Sequence, residues 1–258
     1  MKAIEIVRII EEFAPEAIQE SWDNSGLAIG DLDTEIKSVL LALDCTPEII
    51  DEAISTGSQM IITHHPLIFK GIRQISSSTL QGEMITSIIK NNLIIYSAHT
   101  NADKVMAGVS GIMAERLGLR NIAFLDRDPG GEYGMGVIGD LETPLDFSQV
   151  LKMVRENFNP EVIKCSKPIE EKISRIALCG GSGSSLMEFA RDAGAQLFIT
   201  GDVSYHFFFC EKGFMLMDIG HYESEYGLLE LLKSVLTKKI STFAVRIAEK
   251  NTNPIHYY

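Results

Sequence analysis

The feature that most restricts what this chain can fold into is a set of short apolar runs with no polar alternation. Val39-Leu40-Leu41-Ala42-Leu43 and Met60-Ile61-Ile62 are apolar at every position. A strand with one wet face alternates, so an unalternating strand is buried on both faces, as in a parallel sheet covered by helices. Between the two runs, Thr46-Pro47-Glu48 supplies an N-cap and a first-turn proline for a helix to about Thr56, which Gly57 ends. A strand–helix–strand unit of this length makes a parallel pair with a right-handed crossover. Leu93-Ile94-Ile95-Tyr96-Ser97-Ala98-His99 gives a third strand. The expected fold class is α/β.

Around these runs the spacing predicts helices over residues 2–13, 80–91 and 105–117, the last closed by Gly118. A second short helix restarts at Ala14-Pro15-Glu16, and residues 21–27, with the only tryptophan (Trp22), read as a loop that the indole anchors. Residues 121–135 are rich in turn formers and mark a boundary. Beyond it lie a strand at Gly136–Asp140, a helix near 146–158 and a short strand at Glu161–Cys165.

The second half echoes the first. Arg175–Gly180 matches the run at 39–44, and Ser184 to Ala193 is a helix closed by Gly194. Gln196-Leu197-Phe198-Ile199-Thr200-Gly201-Asp202 matches Gln59 to His65, so Gly201-Asp202 stands where a histidine pair stood. Phe214 to His221 matches Leu93 to His99. The expectation is two related α/β domains from an internal repeat, over residues 1–125 and 126–245, with a 246–258 segment packing back on the first.

The chemistry collects at strand ends. Met60-Ile61-Ile62-Thr63 runs into His64-His65-Pro66. Neighbouring strand residues point to opposite faces, so both histidines can serve one site only past the regular strand, which the proline stops. Open α/β sheets place ligands at such ends. His99 is followed four positions on by Asp103, and His221 four positions on by Glu225; each pair enters a helix, where i and i+4 share a face. His64, His65, His99 and His221 with Asp103 and Glu225 form a donor set for first-row metals. No cysteine joins it, which argues against a closed structural zinc site. The set exceeds the needs of one tetrahedral ion, and a carboxylate can bridge two, so a dinuclear site fits. Either pair alone also suits a charge at a helix N-terminus.

Cys179-Gly180-Gly181-Ser182-Gly183 lacks the spacing of a dinucleotide fingerprint, a P-loop or a nucleophile elbow, and reads as a tight strand-to-helix turn. His206, among Tyr205 and Phe207-Phe208-Phe209, is expected to pack against aromatics, and His256 carries no role. The formal net charge of −12 disfavours non-specific nucleic-acid binding. No apolar stretch approaches the ~20 residues of a membrane span. The charged start Met1-Lys2-Ala3-Ile4-Glu5 is unlike a signal peptide, and the scattered Cys45, Cys165, Cys179 and Cys210 suit buried free thiols, so a cytoplasmic protein is expected.

Five motifs then occur in order: Trp22-Asp23-Asn24-Ser25-Gly26-Leu27, Thr63-His64-His65-Pro66, His99-Thr100-Asn101-Ala102-Asp103, Cys179-Gly180-Gly181-Ser182-Gly183 and Asp218-Ile219-Gly220-His221-Tyr222-Glu223-Ser224-Glu225. Together, and on to Asn251-Thr252-Asn253-Pro254, the chain resembles the NGG-interacting-factor-three-like proteins, also named GTP cyclohydrolase 1 type 2 homologues. The resemblance implies a dinuclear metal site in the cleft between two domains, with ligands at His64, His65, Asp103, His221 and Glu225. It places His99 beside the metals as a proton-transfer group or supporting residue rather than a ligand. It implies a homohexameric ring and a metal-dependent hydrolase of a small, nucleotide-like substrate, the family name suggesting ring opening of GTP. The competing reading is a non-catalytic metal-binding scaffold or regulator. The two divalent ions could be zinc, manganese, iron, cobalt or nickel, since imidazole and carboxylate suit them all. Lys70 and Arg73, just past the histidine pair, are the nearest basic residues for a phosphate.

Overall fold

The apolar runs do become buried strands. A computed structural model describes residues 1–258 and shows an α/β chain with two sheets. The elements in order are α1 (Ala3–Phe13), β1 (Gly26–Ile29), β2 (Ser38–Ala42), α2 (Pro47–Thr56), β3 (Met60–Thr63), α3 (Leu80–Lys90) and β4 (Ile94–Ser97). Next come α4 (Thr100–Asp103), α5 (Val109–Arg116), β5 (Arg120–Arg127), β6 (Gly134–Leu145), α6 (Phe147–Phe158), β7 (Lys164–Cys165) and β8 (Ile173–Leu178). The chain ends with α7 (Met187–Asp192), β9 (Leu197–Thr200), β10 (Met215–Asp218), α8 (His221–Glu225), α9 (Gly227–Lys239) and β11 (Ala244–Ile247). No helix is long and apolar enough to cross a membrane.

Contacts divide the chain into a first unit of residues 1–102 and 228–256 and a second of residues 103–227 with the last two residues. The first unit holds a five-stranded sheet in the order β1-β4-β3-β2-β11. β11, β2, β3 and β4 run parallel, and β1 closes one edge antiparallel to β4. Leu40, Ala42, Ile61 and Ile95 pack with Ile49, Ile50 and Ala53 of α2 and Ile88 of α3. The alternate residues Val39, Leu41, Met60, Ile62, Ile94 and Tyr96 are no more than 1% exposed, so both faces are covered. The Thr46 side chain caps α2 at Ile49 N, and Gly57 closes it in the left-handed region.

The second unit holds a six-stranded sheet in the order β5-β6-β8-β9-β10-β7. Its centre, β8-β9-β10, is parallel, while β5, β6 and β7 pair antiparallel. Side chains alternate between two cores. Val137, Ile176, Leu178, Leu197, Ile199, Met215 and Met217 pack with α5 and α6. Ile138, Ala177, Phe198 and Leu216 pack with Leu186 and Ala190 on the other face. β8–α7–β9–β10 therefore has the strand order and parallel pairing of β2–α2–β3–β4. Only a 3-10 turn at Tyr205–Phe208 stands where α3 stands in the first unit.

Several expectations need correction. The turn-rich stretch is mostly strand: β5 occupies Arg120–Arg127 and hairpins into β6, leaving only the tip as turn. The helix expected from 105 begins at Val109, after Gly108 at its N-cap. The second short helix is one 3-10 turn, Glu16–Ile18. Residues 184–186 are also 3-10 rather than α-helix. β1 extends from the loop expected to end at Leu27. His206 is not packed away: it is exposed, its ring 5.3 Å from Tyr205 and 6.3 Å from Phe209, both more than 70% exposed.

Candidate metal centre

Each unit carries its donors at the carboxyl end of its parallel strands. In the first, the backbone N–H groups of His64 and His65 donate to Ala42 O and Leu43 O, so β2 holds the histidine pair in place past the end of β3. His99 follows β4. The three rings lie 4.9, 5.1 and 5.6 Å apart, centroid to centroid. One ring nitrogen from each falls within 4.8 Å of the others, close enough for a shared ion.

In the second unit, Asp103 ends α4, and His221 and Glu225 span α8. The i,i+4 spacing sets His221 Nε2 3.2 Å from Glu225 Oε2. Asp103 and Glu225 both lie near enough to Cys179 to raise its thiol pKa, after the larger effect of burial, which keeps the thiol neutral.

The orientation of the imidazoles decides what they can do. His64 Nδ1 pairs with Ala98 O at 2.8 Å, and His65 Nδ1 with Asp44 Oδ1 at 2.8 Å. His99 Nδ1 pairs with Asp23 Oδ1 at 2.7 Å, and His221 Nδ1 with Asp202 Oδ2 at 2.7 Å. A carbonyl or carboxylate oxygen can only accept, so in every ring Nδ1 carries the proton and donates. Each Nδ1 is therefore committed to the scaffold, which makes Nε2 the nitrogen that each ring can turn to a metal ion or a proton. Metal-binding histidines are characteristically held this way, which fixes the tautomer and raises ligand basicity. The donors are borderline nitrogen and hard oxygen, so the set fits a first-row divalent ion.

Three carboxylates in this arrangement, Asp23, Asp44 and Asp202, have roles that the motifs do not reveal. Asp23, its side chain wholly buried, also accepts from Ser25 Oγ, Asn24 N and Thr100 N. Burial pushes its pKa up, but the hydrogen bonds of His99 and Thr100 and the charge of His99 outweigh this and hold it far below the usual carboxylate range. Asp44 binds Thr252 Oγ1 as well as His65, tying the chain's C-terminal segment to the site. Asp202 sits in the left-handed region at φ 51°. Asp44 and Asp202 follow the ends of β2 and β9, and that strand-end placement is the signal that could have found them.

The glycine turn after β8 serves the same carboxylate. Gly181, at φ +61°, leaves no room for a side chain: a Cβ there would overlap Glu225 Oε1 and stand 3.2 Å from His221 Nε2. The turn's N–H groups are engaged within the fold, Gly181 N donating to Ser224 Oγ at 2.9 Å and Gly183 N to Thr200 Oγ1 at 2.9 Å. It is a space-making turn rather than a phosphate cradle.

Comparison with known proteins agrees with this architecture. The model of the family described as Duf34/NIF3 (NGG1p interacting factor 3) matches residues 1–254. A GTP cyclohydrolase 1 type 2 homolog of Clostridium perfringens is 36% identical over 253 residues, covering 97% of each chain. One of Clostridium acetobutylicum is 34% identical, covering 100% of this chain and 99% of its own. The crystal structure of a Staphylococcus aureus hypothetical protein superposes with a TM-score of 0.92 at 30% identity, covering 100% of this chain and 99% of that one. The chain belongs to the Duf34/NIF3 family.

Proposed function

We propose that the two donor groups close on one pair of divalent metal ions held by His64, His65, Asp103, His221 and Glu225, and that the protein is a metal-dependent hydrolase of a small, nucleotide-like substrate. The observation that carries this reading is the clamping of four separate imidazoles at Nδ1 by acceptor-only oxygens. A set of solvated loop histidines has no need of such partners. When bound, the ions supply Lewis acidity and a water of lowered pKa.

The chain's own residues supply the rest. Asp44 and Asp202 hold two ligand rings in line. Asp23 fixes His99 with its proton on Nδ1, so Nε2 can take a proton from the attacking water and pass it to the leaving nitrogen or oxygen. The substrate class follows the relatives' name, in which water opens a guanine ring. We further read the matching strand orders of the two units as copies of one ancestral unit and, from the family resemblance, expect a homohexameric ring.

Calorimetric titration of the metal-free chain with zinc and with manganese, then a turnover screen against nucleotides and phosphoesters, tests the reading. Two ions per chain are expected, with Glu225→Gln losing both metal and turnover. His99→Gln should keep the metal and lose turnover. Equal turnover by Glu225→Gln and the parent would reject the mechanism. Tight metal binding with no turnover by the parent would reject the hydrolase in favour of a scaffold.

A further inference from the structure

Two large aromatic side chains stand exposed beside His99, and nothing in the chemistry above uses them. Trp22 is 55% and Phe69 44% exposed. Their ring centroids are 5.8 Å apart, and those of Trp22 and Phe69 lie 6.2 and 6.1 Å from His99, both edge-on to the imidazole. The three rings form one aromatic corner with a polar imidazole at its base. Tryptophan is ordinarily among the more buried residues, and a cluster of exposed large apolar groups marks an interaction site.

The corner is also held in position. Trp22 precedes Asp23, whose buried carboxylate is fixed by His99, Ser25 and Thr100. Asn24 Nδ2 donates to Ile68 O, which ties the loop of Trp22 to the loop of Phe69. Exposed rings fixed in advance lose little entropy when a ligand covers them. Phe69 also borders a cavity of about 510 Å³ lined by Lys70 and Arg73, a local positive pair in a chain of net charge −12. The Trp22–Phe69 spacing is too close for a ring to slip between them, so a ligand must lie on their outer faces.

We propose that Trp22 and Phe69 are a stacking platform that receives the planar heteroaromatic ring of an anionic substrate, setting the ring's edge at His99; the inference rests on the hydrolase reading above and names the substrate's recognition element. Flat π-systems stack on aromatic faces through dispersion and quadrupole terms that a sugar or an alkyl chain cannot match. Lys70 and Arg73 meet the charged substituent.

The test uses the full, zinc-loaded chain and the emission of Trp22, its only tryptophan. Guanosine 5′-monophosphate and ribose 5-phosphate carry the same charge and differ in the ring. The nucleotide should quench Trp22 saturably and the sugar phosphate should not. Phe69→Leu keeps apolar bulk but removes the π face, and should weaken nucleotide binding roughly tenfold, the order seen for loss of one base–aromatic stack. Phe69→Tyr should bind like the parent. Equal binding of the two probes, or unchanged affinity in Phe69→Leu, would overturn the platform. So would a shift in sedimentation of Phe69→Leu in place of a shift in affinity, since the corner would then cover a second copy of the chain. Zinc calorimetry on the metal-free form of the same proteins separates the two readings: intact metal binding with no ring preference sinks the platform alone, and ring binding without metal binding sinks the hydrolase alone.

Discussion

Replacing Gly181 by alanine isolates the space that the proposed metal centre would depend on. Gly181 has φ +61°, and the added methyl would overlap Glu225 Oε1. Gly118 offers a matched control, because it has φ +65° and a Cβ there would meet nothing within 4 Å. Both substitutions carry the left-handed backbone penalty of about 1–2 kcal/mol. Only Gly181→Ala adds crowding, worth about 1–3 kcal/mol in a packed site. Glu225 is 4% exposed, so its carboxylate has no open solvent to retreat into. The displacement also breaks the 3.2 Å approach to His221. In a chain of this size each kcal/mol lowers the melting temperature by about 2–4 °C. Gly181→Ala should therefore melt well below Gly118→Ala, its total loss being roughly twice the control's. Zinc calorimetry should separate them further, with parent-like affinity in Gly118→Ala and at least about tenfold weaker binding in Gly181→Ala. Equal melting losses together with equal zinc affinities would show that the turn does not hold room for a ligand.

Three further outcomes follow from the same geometry. Asp44→Ala and Asp202→Ala should each weaken zinc binding by about 10–100-fold in calorimetry, since each removes the acceptor that sets a ligand ring. Asp23 has its folded pKa pushed down, so its contribution to stability is whole above its unfolded value near 3.9 and is lost as pH falls below that toward the folded value. Melting curves of Asp23→Asn should accordingly lie below the parent at pH 7 and converge on it below about pH 4; parallel curves throughout would contradict the assignment. Stripping metal with a chelator should lower the melting temperature, and free zinc at a hundredfold its dissociation constant should restore about 2.7 kcal/mol of stability, which differential scanning fluorimetry reads directly.

The buried parallel strands were legible because β2, β3, β4, β9 and β10 are apolar at nearly every position and α2 and α3 carry threonine caps. The histidines were legible for the same reason: a polar pair directly after an unbroken apolar run has few structural uses. Edge strands were harder. β1 and β11 are four residues each with mixed burial, and nothing local distinguishes them from loop. β5 begins and ends in exposed charged residues beside true turn formers, and its pairing with β6 is what makes it a strand. The orienting carboxylates escaped notice because their partners are remote: Asp23 is 76 residues from His99, Asp44 21 from His65 and Asp202 19 from His221. Spacing rules see one helix face at a time, and these pairs exist only once separate strand ends are brought side by side.

The parallel seam between β2 and β11 has a bearing on how the protein is made. Ser38–Ala42 waits for Ala244–Ile247, and the whole second unit is synthesised in between. At the ribosome's pace of about 5–20 residues per second, that wait lasts on the order of 10–40 s. Throughout it, one side of β2 is an unpaired and largely apolar template, the kind of edge that recruits other nascent chains. The second unit is nearly continuous and can mature while emerging, whereas the sheet of the first is completed only once Ala244–Ile247 has emerged. A chain truncated before Ala244 should thus be expected in the aggregate fraction, and holdase chaperones should engage this protein chiefly through its first hundred residues.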